Sequence, residues 1–314
     1  MKILVAGLGS IGQRHARNLR TLLGDELELQ AYRVRRASPV IRDGRAAEGD
    51  LDSEYDLRSF GDLDEALAER PDAVFVTNPA SEHVPVALAA ARAGCHLFVE
   101  KPLSHSLDGV DELIGLVEEQ GLTAMVGYQL RFHPSFGKLR KFARAETFLA
   151  ARFDVGEYLP DMHPWEDYRG LNYSRSDQGG GVILQQSHDL DLAYALFGMP
   201  RRVFAVGGKH SDLEVDVEDT ASALLDYGWT AVHLLQDFLR RPPVRRYELI
   251  GANATVSWED SVDRNELFLA ELRHFLACID GREQPVVDLR AAADVLRIAL
   301  AAKRSLATGE AVAP

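Results

Sequence analysis

Cysteine is scarce in this chain, which has only Cys95 and Cys278 among its 314 residues. The two thiols are far apart in the sequence and lack the short spacing of a zinc site, so we expect neither a disulfide scaffold nor a bound metal. Low cysteine content is also typical of proteins of the reducing cytosol, and it predicts a cytoplasmic localisation.

Long apolar runs and an excess of positive charge are missing as well. No uninterrupted apolar stretch reaches the length of a membrane span, and the first residues lack the build of a signal peptide. A formal net charge of -13 makes the chain a poor partner for nucleic-acid backbones and anionic membranes, so we expect neither as a partner. The composition, 46% hydrophobic and 26% charged, is that of a soluble globular protein long enough for two domains.

A glycine-rich turn follows the first apolar run of the chain. Gly7, Gly9 and Gly12 have the spacing G-x-G-x-x-G, and helical periodicity begins directly afterwards. The first glycine permits a tight turn, the second lets the backbone approach a pyrophosphate, and the third allows close packing of helix on strand. Because the helix N-terminus also offers free N–H groups to phosphates, this segment predicts a dinucleotide site.

Arginine stands where many NAD-binding proteins have an acidic residue. The second predicted strand, residues 27–32, is followed by Arg33, with Arg35 and Arg36 close by. A carboxylate at this place would hold the ribose 2′-hydroxyl, whereas a guanidinium pairs with a 2′-phosphate. The pattern therefore favours NADP over NAD, and the alternative is a solvated basic loop.

Two tripeptides follow buried strands in this half of the chain. Thr77-Asn78-Pro79 comes after residues 73–76, and Glu100-Lys101-Pro102 comes after residues 96–99. In a doubly wound sheet, ligands bind beyond the carboxyl ends of the strands, so we expect both tripeptides beside the cofactor. Lys101 is then a candidate general base; the alternative is a surface lysine before a loop. His83 either approaches the nicotinamide or lies on the surface of a helix.

The alternation of strands and helices ends near residue 127. It predicts a dinucleotide-binding domain of residues 1–127, built on a parallel doubly wound sheet of the Rossmann type. Residues 128–314 change character, because consecutive strands without intervening helices predict an α+β domain with an antiparallel sheet. Two helices close the chain, and they are expected either to stay with this domain or to pack back on the first. Residues 37–59 are predicted to be irregular.

Two segments of the second half are unusual for purely structural elements. Residues 156–169 combine polar aromatic rings, carboxylates, histidine and arginine, a mixture that suits hydroxyl-rich ligands, although a solvated loop has the same polarity. Residues 179–191 start with three glycines and continue into a helix on which His188 and Asp191 share a face. A histidine oriented by a carboxylate is a plausible acid–base pair, and the alternative is a buried structural histidine.

These pieces, in this order, resemble the Gfo/Idh/MocA oxidoreductase family over nearly the whole chain. The resemblance implies a Rossmann domain and a second α/β domain with a large, mostly antiparallel sheet. It also implies NAD(P) and hydride transfer at a secondary alcohol of a sugar, cyclitol or sugar derivative. Family members often pair through the exposed sheet face, so a homodimer or homotetramer is expected.

By position, the resemblance makes Lys101 the catalytic lysine and His188 the active-site histidine. Gln185 stands where many members have an aspartate, so Lys101 and His188 are left as the main proton-transfer candidates. The residues expected to bind the cofactor are Gly7, Gly9, Ser10, Ile11, Gly12, Arg33, Thr77, Asn78, Pro79, His83, Glu100 and Lys101. Those expected to hold the substrate are Tyr128, Arg131, His163, Tyr168, Arg169, Gln185 and Asp191. Two other functions remain open: a glycoside-cleaving enzyme that uses transient oxidation, and a non-catalytic NADP-binding sensor.

Overall fold

The computed structural model describes residues 1–34, 39–42, 44–145, 148–259 and 262–314. The chain divides into two compact units, one of Met1–Gln129 with Arg264–Arg290 and the other of Leu130–Asp263 with Ala291–Pro314. Within the described ranges, no helix is both long and apolar enough to cross a membrane.

The first unit contains a six-stranded parallel sheet, as the sequence predicts. Its strands have the order β5-β2-β1-β6-β7-β8, and every neighbouring pair is parallel. The elements of this unit are β1 (Lys2–Ala6), α1 (Ser10–Leu23), β2 (Glu28–Tyr32), β3 (Val40–Arg42), β4 (Arg45–Ala47), α2 (Leu51–Tyr55), β5 (Leu57–Phe60), α3 (Leu63–Ala68), β6 (Ala73–Val76), α4 (His83–Arg92), β7 (His96–Glu100), α5 (Val110–Glu119), β8 (Ala124–Gly127) and, after the second unit's strands, α10 (Arg264–Ile279).

The strands of this unit are apolar in sequence because they lie in its hydrophobic core. Strands β1 and β6 are buried along almost their whole length, since helices of a doubly wound fold cover both faces of the sheet. Helix α1 adds Ala16 and Leu19 to this core, and α10 adds Leu272 and Phe275. The first of the two closing helices, α10, is therefore part of the hydrophobic core of this unit.

The segment predicted to be irregular has more structure than its polarity suggests. Residues 37–59 include the β3–β4 hairpin, α2 and the start of β5. Helix α2 is short and is capped at its N-terminus by Asp50, whose carboxylate accepts the N–H of Ser53. Elements of three to five residues are too short to show a clear hydrophobic period, which is why the sequence pattern missed them.

The second unit contains the mostly antiparallel sheet that the sequence predicts. The strand order is β10-β11-β12-β9-β13-β14, and of these pairs only β12 with β9 is parallel among the described strands. The elements are α6 (Pro134–Ala145), β9 (Phe148–Gly156), α7 (Leu159–Met162), α8 (Val182–Gln185), α9 (Ser187–Phe197), β10 (Arg202–Gly208), β11 (Thr220–Asp226), β12 (Ala231–Asp237), β13 (Val244–Gly251) and β14 (Thr255–Ser257). Helix α11 (Leu289–Thr308) begins at the end of the first unit and runs into the second.

One face of this sheet is buried and the other is exposed. Burial alternates along β10, β11 and β12 with the period of two that a half-covered sheet requires. Helix α8 contacts β11 and β12 on the covered side. Helix α9 follows α8 after a break at Gln186, so the start of α9 is held close to the sheet.

Candidate active site

Protein atoms pack closely against Gly7 and Gly12 of the glycine turn, whereas no described atom lies close to the Cβ position of Gly9. Gly7 has φ +107°, and a Cβ there would lie 2.9 Å from the backbone nitrogen of Asn78. A Cβ on Gly12 would lie 2.0 Å from the carbonyl oxygen of Gly7. A Cβ on Gly9, in contrast, would meet no described atom within 4 Å. The fold itself thus requires two of the three glycines, and the space beside Gly9 is available to a ligand.

Helix α1 presents its N-terminus at this turn. It begins at Ser10 directly after Gly9, a residue without a side chain that could cap it. The first N–H groups of a helix have no partner within the helix, and they carry the positive end of its dipole. Ser10 and Ile11 therefore lie where backbone N–H groups suit a pyrophosphate.

The Arg33 guanidinium, expected at the 2′-phosphate, is bound by protein groups in this structure. Its Nε donates to Ser59 Oγ at 2.9 Å and its Nη2 donates to Asp52 Oδ1 at 2.9 Å. Asp52 thus places a carboxylate next to the arginine that was expected to select NADP. Arg35 and Arg36 lie outside the described residues.

His83 joins the two tripeptides that follow β6 and β7. Its Nε2 lies 2.8 Å from the carbonyl oxygen of Asn78, and its Nδ1 lies 2.8 Å from that of Pro102. The side chain is buried, so it is not a surface residue of the helix. Burial lowers the pKa of His83, while the two carbonyl oxygens oppose that shift. Both partners are acceptors and a neutral imidazole has one N–H, so the ring donates to one of the two carbonyl oxygens and packs between the two turns.

Asn78 has a polar side-chain atom for which the described residues provide no partner. Its Oδ1 is buried and has no hydrogen-bond partner in the described part of the chain. Buried polar atoms normally have a partner, so an atom of this kind at the carboxyl end of a parallel strand suits a ligand. This observation fits the dinucleotide that the glycine turn predicts.

Glu100 supports the end of β7 through both carboxylate oxygens. Oε2 accepts the backbone N–H of Lys101 at 3.2 Å, and Oε1 lies 2.6 Å from Nε2 of His15 on α1. Burial opposes ionisation of Glu100, but the hydrogen bond and charge of His15, together with the charge of Lys101, hold its pKa below the usual value. His15 is not among the functional residues expected from the sequence; the available signal was a histidine on the buried face of the helix that follows the glycine turn.

The glycines before α8 in the second unit serve packing within the protein. A Cβ on Gly180 would lie 2.7 Å from the carbonyl oxygen of Tyr173, and one on Gly181 would lie 2.2 Å from Glu218 Oε1. Gly181 also has φ +108°, a backbone conformation that favours glycine. The close approach that these glycines allow is therefore to the chain's own atoms.

His188 lies in the first turn of α9 and is buried. Asp191, three residues further, was expected to orient the histidine ring. Instead, both of its oxygens accept hydrogen bonds from Arg131, from Nε at 2.7 Å and from Nη2 at 2.8 Å. Burial raises the pKa of Asp191, and the guanidinium opposes that rise. Arg131 and Asp191, both predicted to bind substrate, thus form a buried bidentate ion pair.

A buried network lies next to His188 that sequence reasoning did not find. Asp189 accepts the hydroxyl of Tyr247 at 2.5 Å and the amide of Gln236 at 2.9 Å. Gln236 also donates to the carbonyl oxygen of Gln186 at 2.8 Å. Arg245 donates to the Tyr247 hydroxyl at 2.6 Å. These bonds fix the start of α9, and with it the position of His188, on strands β12 and β13.

The remaining predicted substrate residues are spread over several places. Arg169 is exposed and pairs with Asp167 and Glu214, while the Tyr168 hydroxyl accepts the N–H of Glu214 at 3.2 Å. The ring of His163 lies 5.0 Å from that of Trp165. Tyr128 is buried in the first unit, and Gln185 ends α8.

Among the described residues, no group of histidine, cysteine, aspartate or glutamate side chains is arranged to hold a metal.

Comparisons with known proteins agree with this geometry. Residues 1–128 match a model of the oxidoreductase family with an NAD-binding Rossmann fold, and residues 149–257 match the GFO/IDH/MocA C-terminal domain. A myo-inositol 2-dehydrogenase of Thermotoga maritima is 28% identical, over 98% of this chain and 96% of that protein. A UDP-N-acetylglucosamine 3-dehydrogenase of Acidithiobacillus ferrooxidans is 29% identical, over 83% of this chain and 72% of that protein.

A solved structure extends the similarity to the whole fold. The crystal structure of GenD2 from gentamicin A biosynthesis, in complex with NAD, superposes with a TM-score of 0.83. The match covers 100% of this chain and 96% of that chain at 23% sequence identity. At this level of identity, the likeness concerns the fold.

Proposed function

Because the chain belongs to the Gfo/Idh/MocA oxidoreductase family, we propose that it interconverts a secondary alcohol and a ketone on a sugar, cyclitol or sugar derivative with NAD(P). The observation that carries the proposal is the glycine turn together with Lys101 at the end of β7, two strands away in the same parallel sheet. The similar inositol and UDP-sugar dehydrogenases support the class of substrate.

The residues present fit a dinucleotide. The open space beside Gly9 and the N-terminus of α1 suit the pyrophosphate, and the unused oxygen of Asn78 suits a polar group near the nicotinamide. When bound, the nicotinamide supplies the chemistry of hydride transfer. The protein supplies binding, orientation and movement of the hydroxyl proton.

Lys101 is the proposed general base for the substrate hydroxyl, and His188 is the second proton-transfer residue. A base acts when it lies within hydrogen-bond reach of the proton that it removes, and its efficiency depends on its pKa. Glu100 and His83 support the turn on which Lys101 stands. The network around Asp189 gives His188 a comparable support. Gln185 lacks an ionisable group, so it is proposed to bind a substrate hydroxyl and not to take a proton.

The choice between NADP and NAD is proposed to depend on Arg33 and Asp52. Arg33 favours a 2′-phosphate, whereas the neighbouring Asp52 carboxylate repels one. Asp52→Asn should therefore raise the affinity for NADP relative to NAD, and Arg33→Ala should lower it. Thermal shift with each nucleotide measures both changes. If NAD raises the melting temperature of the wild type and NADP does not, and if Asp52→Asn behaves in the same way, NADP is no longer part of the proposal.

The deciding experiment is turnover with a panel of cyclitols, sugars and UDP-sugars, each with NAD and with NADP. Reduction of the nucleotide in step with substrate oxidation supports the proposal. Release of a glycosyl group without net nucleotide reduction would replace it with glycoside cleavage. Binding of nucleotide without turnover of any compound would favour a sensor.

A second copy of the chain is the proposed partner for the exposed face of the second unit's sheet. Phe204 and Val206 on β10 and Leu224 on β11 are 41%, 54% and 36% exposed on this face. Phe204 is directly opposite Leu224, so these side chains form one apolar patch. Val206→Glu should convert a homodimer or homotetramer to smaller species in light scattering, and a wild-type monomer would contradict this proposal.

A further inference from the structure

A buried hydrogen-bonded pair connects helix α1 to the end of β7. Nε2 of His15 lies 2.6 Å from Oε1 of Glu100, and the two residues are 85 positions apart in the sequence. The histidine side chain is fully buried and the carboxyl side chain is 9% exposed. Because the carboxyl group favours its ionised form here, the N–H of His15 donates to it.

Aromatic rings surround this pair and keep water away from it. The ring of His15 lies 5.6 Å from that of Phe75, 5.1 Å from that of Phe98 and 5.9 Å from that of Phe268. Nδ1 of His15 has no hydrogen-bond partner in the described part of the chain. The one polar contact that the ring makes there is with Glu100, and a hydrogen bond in such surroundings is stronger than one in water.

Each residue of the pair is connected to a group that has a proposed role in the reaction. His15 belongs to the same helix whose first N–H groups suit the pyrophosphate. The other oxygen of Glu100 accepts the backbone N–H of Lys101. We propose that His15 is a positioning residue, which through Glu100 fixes the place of Lys101 relative to the helix that binds the cofactor. This inference rests on the proposed function, because it assumes that Lys101 is the base.

A purely structural role would have different consequences. A pair that only stabilised the core would affect folding and leave the catalytic step of the folded enzyme unchanged. A pair that positions Lys101 affects turnover only when Lys101 is present. Misplacement of a reacting group by about 1 Å can cost on the order of 100-fold in rate, so the positioning role is measurable.

Four variants separate the two roles. His15→Leu removes the donor, and His15→Gln keeps an N–H near the place of Nε2. Glu100→Gln keeps the shape of the carboxyl group and removes its charge. His274→Leu is the matched control, because His274 on α10 also pairs with a glutamate of the same unit, Glu283. Each variant is assayed for kcat, for the nucleotide Kd and for thermal stability, alone and with Lys101→Ala.

The expected result is a loss in kcat of roughly 10- to 100-fold for His15→Leu, with a much smaller change in the nucleotide Kd. His15→Gln should restore most of the turnover, and His274→Leu should keep all of it. In the Lys101→Ala background, His15→Leu should cost no further activity. An equal loss in both backgrounds, or a folded His15→Leu enzyme with full kcat, would overturn the proposal.

If His15→Leu fails to fold, Glu100→Gln provides an independent test of the positioning role. The charged or titratable groups that act on Glu100 are His15 on α1, Lys101 beside it and His83 on α4. Its negative charge favours the protonated amine of Lys101, so the variant should reach half-maximal turnover at a lower pH. An unchanged pH profile with full kcat would contradict the positioning role. Full turnover of Lys101→Ala would contradict the assignment of Lys101 as the base, whereas a wild-type protein that turns over no compound of the panel would contradict the proposed function itself.

Discussion

Glu100 in the first unit and Asp191 in the second are both buried, but they are held in different ways. In the first unit, Glu100 faces an imidazole among aromatic rings and accepts a backbone N–H at the end of a strand. In the second unit, Asp191 is held at both oxygens by the guanidinium of Arg131. An imidazole is charged only when it is protonated, whereas a guanidinium is always charged.

This difference separates a carboxylate whose charge acts on a proposed base from a carboxylate that holds a helix in place. In the first unit, the Glu100 carboxylate accepts the backbone N–H of Lys101, and its negative charge acts on the reacting amine. In the second unit, Arg131 holds Asp191 of α9, and Tyr247 and Gln236 hold Asp189. These contacts fix the position of His188 on the same helix. The comparison predicts that changes near β7 alter turnover and its pH dependence, while changes behind α9 mainly alter stability.

The largest expected effect is that of Lys101→Ala. Loss of a general base typically lowers turnover by about 10²- to 10⁴-fold, and we expect a loss in this range with the nucleotide Kd largely kept. Lys138→Ala is the matched control, since Lys138 pairs with Glu259 on the surface of the second unit. Steady-state kinetics and nucleotide titration measure both variants. Turnover within a few-fold of wild type would mean that the first unit does not supply the base.

The features that could be predicted from sequence are those built from neighbouring residues. The glycine turn and the tripeptide that contains Lys101 each occupy a few consecutive positions after an apolar run, so their place at the strand ends followed from the pattern. The alternation of strands and helices likewise predicted the parallel sheet, and consecutive strands predicted the antiparallel one.

The partners of these residues could not be predicted in the same way. His15 and Glu100 are 85 positions apart, Arg131 and Asp191 are 60 apart, and Asp189 and Tyr247 are 58 apart. Helical spacing put His188 and Asp191 on one face, but it carries no information about the side chain that approaches from another element. Such pairs become visible only when the packing of the elements is known.

The second largest effect is expected from breaking the ion pair of the second unit. Arg131→Ala leaves the Asp191 carboxylate buried without its charged partner, which costs about 3–5 kcal/mol of unfolding free energy. Because that carboxylate becomes harder to ionise, the loss should be greatest at neutral pH and should shrink as the pH falls. Denaturant unfolding at neutral and mildly acidic pH measures this.

Arg169→Ala is the control for that experiment. Arg169 also forms ion pairs, but its side chain and those of Asp167 and Glu214 are all more than half exposed. Pairs of this kind add little to stability, because water screens them. Equal losses for the two arginine variants would contradict the supporting role assigned to the Arg131–Asp191 pair.

The smallest expected effect comes from removing one hydroxyl behind α9. Tyr247→Phe deletes the hydrogen bond that the hydroxyl donates to Asp189 and the one that it accepts from Arg245, and it should lower the unfolding free energy by about 1.5–3 kcal/mol, the range for bonds to charged groups. Tyr227→Phe is matched to it, since the Tyr227 hydroxyl is also buried but has no hydrogen-bond partner among the described residues. Deleting an unsatisfied buried hydroxyl should leave stability equal or raise it. Denaturant unfolding of both variants tests the contrast, and a Tyr247→Phe protein as stable as Tyr227→Phe would show that α9 does not depend on this network.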